Sequence, residues 1–133
     1  ILSSGNYRTI QIVITRNGLH ELKTAVKNVD GDPQVEEYMI ELVNATRNQR
    51  EYGLDDIADH IHFGASPRVS IDMFKAVKAM AFMRAKDFVT PVDVAYIAKE
   101  LMRHRIVLTY EAEAEGITTD EIIQKVLETV AIP

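Results

Sequence analysis

The sequence contains no cysteine. That excludes a disulfide framework, a thiolate nucleophile and a cysteine-bound zinc, and it suits a cytoplasmic protein. No apolar run approaches the roughly 20 residues that a membrane-spanning helix needs. The first residues, Ile1-Leu2-Ser3-Ser4-Gly5, lack the charged start and long apolar stretch of a signal peptide. Membrane insertion is therefore not expected. Basic residues are also in deficit, with 15 Lys and Arg against 20 Asp and Glu and a net charge of −5. Nucleic acid and anionic membranes are disfavoured as main partners on that ground. Local catalytic signatures are missing too: there is no Walker-type phosphate loop, no GxGxxG, no HExxH and no GxSxG. No residue is assigned a catalytic role.

What is present is an ordinary globular composition, 47% hydrophobic and 26% charged over 133 residues, enough for one domain with a real core. Charge is uneven along the chain. Residues 1–67 carry six basic and ten acidic side chains, residues 68–105 eight and four, and residues 106–133 one and six. A locally basic middle between acidic ends could face an anion, or could decorate the solvent sides of two helices. The chain starts at Ile1 rather than Met. Residues 1–14 are accordingly expected to be a linker or the start of a piece of a longer chain. Within them, Thr9 to Ile14 alternates as a short strand or an extended linker would.

Helical signals dominate from Thr15 onward. Thr15 is a candidate cap, and Leu19, Leu22, Ala25, Val26 and Val29 recur at helical spacing, predicting a first helix over 16–28. Asp32-Pro33 opens a second helix, with Val35, Tyr38, Met39, Leu42, Val43 and Thr46 on its inner face. Residues 48–65 break the pattern and are read as a long irregular loop. Ser66-Pro67 opens a third helix over 67–85, whose broad apolar face marks a central element. Lys86 to Val89 reads as a tight extended loop. Thr90-Pro91 opens a fourth helix with Val94, Ile97, Ala98, Leu101 and Met102 inward and Asp93, Tyr96, Glu100 and Arg103 outward. Ile106-Val107-Leu108 is a short extended exit, and Glu111, Glu113 and Glu115 mark a solvated segment. Thr118 and Glu121 form a capping box for a last helix carrying Ile122, Ile123, Val126, Leu127 and Val130. The expected fold is all-α: a five-helix bundle with at most two short extended segments.

The chemistry-bearing candidates are few. His60 and His62 with Asp59 lack a third placed ligand, so no metal site is assigned. The alternating glutamates read as a solvated acidic face, and Arg103-His104-Arg105 suits a helix C-terminus. Met39, Met73, Met80, Met83 and Met102 fall at core spacing. Arg68 stands apart. It occupies a first helical turn, where a cation opposes the helix dipole by about 0.3–1 kcal/mol. A guanidinium fork beside free backbone N–H groups suits a phosphate oxygen. Arg16 sits similarly on the first helix.

Taken together, Gly64-Ala65-Ser66-Pro67-Arg68, the central helix, Asp87-Phe88-Val89-Thr90-Pro91-Val92-Asp93-Val94 and Leu101-Met102-Arg103-His104-Arg105 form a recognisable order. It resembles the C-terminal helical lid of MoxR-family AAA+ ATPases. The resemblance extends upstream to Ala45-Thr46-Arg47 and downstream from Ile106 to Gly116 and the last helix. It implies a helical AAA+ lid over residues 15–133, with 48–65 longer than in shorter members. It implies that Arg68 is the sensor-2 arginine, reaching the terminal phosphates of ATP that the parent protein binds with magnesium. The phosphate loop and the magnesium-holding acid of that family belong to a core absent from these residues, so no tightly bound cofactor is expected here. The implied partners are the ATP-binding core of the same parent chain and neighbouring subunits of a ring, commonly a hexamer. The implied work is chaperone-like remodelling or assembly of partner complexes, often alongside von Willebrand factor A-domain proteins. The alternative is a free-standing helical interaction module. A histone-like DNA binder shares the long central helix, but the negative net charge disfavours it.

Overall fold

Side-chain caps fix most of the helix starts. The computed structural model describes residues 9–133; residues 1–8 of the expected linker lie outside the described residues. Thr9 to Ile14 forms no strand and lies exposed. Thr15 Oγ1 then accepts from the Gly18 N–H at 3.1 Å and starts α1 (Arg16–Lys27). Asp32 accepts from the Gln34 N–H at 2.8 Å and starts α2 (Pro33–Arg47), with Pro33 in the first turn where its missing N–H is harmless.

The segment read as irregular is instead built from short regular pieces. A 3₁₀ turn (Gln49–Tyr52) and α3 (Asp55–Ala58) lead into β1 (Ile61–Phe63). Tyr52 donates its hydroxyl to Glu41 on α2, which ties the turn to the bundle. Leu54 and Ile57 reach the core. Then come α4 (Arg68–Met83), α5 (Pro91–Met102), β2 (Val107–Leu108), α6 (Tyr110–Ala114) and α7 (Thr119–Thr129). All five expected helices are present. The two additional ones, α3 and α6, are single-turn pieces that depend on their neighbours for support.

β1 and β2 pair antiparallel, Ile61 with Leu108 and Phe63 with Val107, with an irregularity between them. A second tie joins the turn after α1 to the loop after α4. The Asp30 N–H donates to Asp87 at 2.9 Å, and the Val89 N–H donates to Asp30 at 3.1 Å.

The core lies where α4 and α5 meet α2 and α7. Every residue predicted for the inner face of α2 is buried. On α4 the buried row is Val69, Met73, Val77 and Ala81, one residue per turn or so. The face is narrower than its apolar content suggests: Ile71 and Met83 are exposed, so Met83 is not core filling. α1 departs further from expectation. It packs on α4 from outside, none of its residues is buried, and Leu19 and Leu22 remain half exposed.

Candidate functional site

Arg68 stands at the start of α4, and the turn that delivers it is held by the end of α2. Thr46, wholly buried, is the key residue. Its Oγ1 donates to the Val43 carbonyl at 2.7 Å and accepts from the Ala65 N–H at 3.0 Å. A threonine hydroxyl that donates back within its own helix keeps its acceptor lone pairs for a visitor, and here the visitor is the turn. Gly64 lies directly on the last turn of α2, where an added Cβ would collide with the Thr46 carbonyl. Only glycine allows that approach. Arg47, next on the helix, donates to the Ala65 carbonyl at 3.4 Å. Gly64-Ala65 is therefore seated before the chain reaches Ser66.

From there the helix begins with little help. Ser66 Oγ accepts from the Arg68 N–H at 3.3 Å, a long bond, and the first turn contains no acidic residue. The Arg68 side chain is exposed, and among the described residues it has no hydrogen-bond or ion-pair partner. A cation without a carboxylate, beside the positive end of a 16-residue helix, fits a phosphate group. The same turn offers no carboxylate for magnesium.

Asp93 contradicts the sequence reading. It does not face outward: it is 1% exposed and lies at the centre of the α4–α5 corner. Lys86 Nζ approaches Oδ2 at 2.6 Å and Arg84 approaches Oδ1 at 3.5 Å. The Thr90 N–H and hydroxyl each donate to Oδ2 at 3.0 Å, while the Asp93 N–H donates to Thr90 Oγ1. This is a capping box with two cations added. Burial pushes the Asp93 carboxyl up, but Lys86 and the Thr90 donors outweigh it and hold the group below its ordinary value. The Thr-x-x-Asp spacing was a usable signal for this box.

The histidines take unrelated places. His60 Nε2 is 3.4 Å from Glu115, linking β1 to the end of α6, and the His62 ring tilts against Phe63 at 4.2 Å.

Residues 55–126 match the family model described as AAA lid domain. The chain belongs to that family. This AAA lid is 35% identical to the chaperone MoxR1 of Mycobacterium tuberculosis over its whole length, covering 32% of that protein. It is 29% identical to the protein MoxR of Paracoccus denitrificans, over 92% of this chain and 38% of the relative. It also superposes on the crystal structure of a provisionally designated ATPase from Cytophaga hutchinsonii. There the TM-score is 0.85 and the identity 44%, over 88% of this chain and 36% of that one. The lid thus spans about a third of the length of the curated relatives it matches. Among the described residues, no helix is long and apolar enough to cross a membrane.

Proposed function

We propose that this chain is the C-terminal lid of a MoxR-like AAA+ ATPase and that Arg68 is its sensor-2 arginine. The observation that carries the reading is the open start of α4. There an exposed guanidinium, without a partner among the described residues, projects from a turn that Thr46 and Gly64 seat firmly. Bound ATP with its magnesium would bring the phosphoryl group whose transfer to water the parent protein catalyses. What the lid contributes is positional and electrostatic. Arg68 presents a planar fork of N–H donors to terminal phosphate oxygens, and the aligned dipoles of α4 favour negative charge at the same point. Because the turn is fixed beforehand, little ordering is left for the moment of binding.

In this reading the lid works with the ATP-binding core of the same parent chain and with neighbouring subunits of a ring, commonly a hexamer. The parent is a cytoplasmic, chaperone-like remodeller acting beside von Willebrand factor A-domain proteins. Similarity to relatives named MoxR and chaperone MoxR1 supports that picture. Residues 15–133 form the lid domain, and residues 1–14 lead into it. Alone, the lid neither binds ATP tightly nor hydrolyses it.

The test is turnover by the full-length protein. Arg68→Ala should lower it about ten- to a hundred-fold, the worth of a charge-assisted bond to phosphate. Lysine at this position should recover only part, because it keeps the charge and loses the fork. Turnover unchanged in both variants would remove Arg68 from the nucleotide site.

A further inference from the structure

The cations of the basic middle segment differ in their surroundings. Arg84, Lys86, Arg103 and Arg105 each approach a carboxylate within the domain. Four other lysines, two from this segment and two from α1, gather around a groove of about 830 Å³ between α1 and α4. Its floor is apolar, formed chiefly by Leu22, Val26 and Phe74. Its walls carry Lys23 and Lys27 on α1, one turn apart, and Lys75 and Lys78 on α4. No acidic residue lines it, and among the described residues none of the four ammonium groups is ion-paired. Lys78 is held over the floor, its Nζ 4.4 Å above the Phe74 ring and 3.5 Å from the Lys27 carbonyl that accepts from it.

Two properties of this groove occur side by side. Leu22 is 42% exposed on a helix that buries no residue at all, so apolar area is left open beside it. Four unneutralised cations then line that area in a chain of net charge −5. A small anion would use the lysines and leave Leu22, Val26 and Phe74 facing water. A neutral apolar segment would cover the floor and leave the ammonium groups without counter-charge. An amphipathic helix with an apolar stripe between rows of Glu or Asp satisfies both, because its i, i+3, i+4 and i+7 positions share one face. α1 supplies a wall of 12 residues, about 18 Å, long enough to receive three turns of such a helix.

We propose that the α1–α4 groove docks an acidic amphipathic helix of another polypeptide. The proposal does not rest on the nucleotide role of Arg68. The full-length protein is titrated with a labelled peptide bearing leucine at i, i+3, i+4 and i+7 flanked by glutamate, and with its lysine-for-glutamate counterpart. The glutamate peptide should bind saturably, more weakly as salt rises, and at least about tenfold more tightly than the lysine peptide. The double variant Lys75→Glu with Lys78→Glu should reverse that preference. Leu22→Asp, placed on a helix that buries nothing, should abolish binding of the glutamate peptide while thermal melting stays unchanged. Equal binding of the two peptides, a preference retained in the double variant, or no binding because the parent protein already covers the groove would each overturn the proposal. So would lysine-dependent binding of phosphatidylglycerol vesicles with no binding of the peptide, which would give the groove to a lipid surface.

Discussion

The starts of α4 and α5 begin alike and end differently. Ser66-Pro67 and Thr90-Pro91 both place a hydroxyl before a proline, the pattern that pre-sets a first helical turn. They diverge three residues after the hydroxyl, at Val69 in one and Asp93 in the other. Val69 turns into the core and leaves the backbone donors of its turn without a carboxylate. Asp93 turns back on Thr90, closes the capping box and gathers Lys86 and Arg84 around itself. The α5 start is thereby saturated with internal partners. The α4 start is anchored one step upstream, at Thr46 and Gly64, and carries a cation unpaired among the described residues where a stable helix would prefer an anion. One start is closed by internal partners, while the other, in the proposed reading, is the one that meets a ligand.

Removing the carboxylate at the saturated start should have the largest effect on stability. Asp93→Ala takes the cap and the counter-charge from a buried cluster, and is expected to cost about 2–4 kcal/mol. The cost stays below that of breaking a fully buried pair because Lys86 and Arg84 are partly exposed and can turn towards water. Its pH dependence has a definite sign. The folded-state carboxyl lies below the ordinary value of 3.8, so its contribution is present above that value and disappears as pH falls through the folded one. The gap in melting temperature between the native chain and Asp93→Asn should therefore narrow on acidification below about pH 4. A gap that is constant down to full protonation would deny Asp93 its ionic role.

Gly64→Ala is next. The new Cβ meets backbone rather than a flexible side chain, so α2 and the turn must separate, at about 1–3 kcal/mol. Denaturant unfolding measures that loss, and nucleotide turnover by the parent protein should drop with it as the seat of Arg68 shifts.

The caps give the smallest and most discriminating pair. Thr90→Ala should cost about 0.5–2 kcal/mol. Ser66→Ala should cost less, about 0.5 kcal/mol or under, because its single bond at 3.3 Å is long. Equal shifts in denaturant midpoint would erase the difference between the two starts.

The contrast was half visible in the sequence. Caps at Thr15, Asp32, Thr90 and Thr118 act over two or three residues, so their grammar could be read directly and the structure keeps it. The inner face of α2 was legible for the same reason, since 3.6-residue periodicity is local. Periodicity points Asp93 outward because a charge on an amphipathic helix usually faces water, but the loop cations Arg84 and Lys86 that pair with it lie outside the helix. Thr46 and Gly64 carried no local mark of their function, which exists only where two distant turns touch. β1 was illegible for a similar reason: three residues pair with a strand more than forty positions away. α1 failed in the opposite sense. Its periodicity predicts a buried face, but that face packs chiefly on α4 and opens on the groove.

The most direct measurement pairs turnover with melting for Arg68→Ala and Asp93→Ala, using the full-length protein for the first and the 133-residue lid for the second. Arg68→Ala should lose about ten- to a hundred-fold in turnover while the lid keeps its melting temperature or rises by the equivalent of a few tenths of a kcal/mol, because a cation opposing the dipole has gone. Asp93→Ala should lower the melting temperature of the lid by far more. Full turnover with a collapsed melt for Arg68→Ala would contradict the division between the two helix starts and make Arg68 a structural residue.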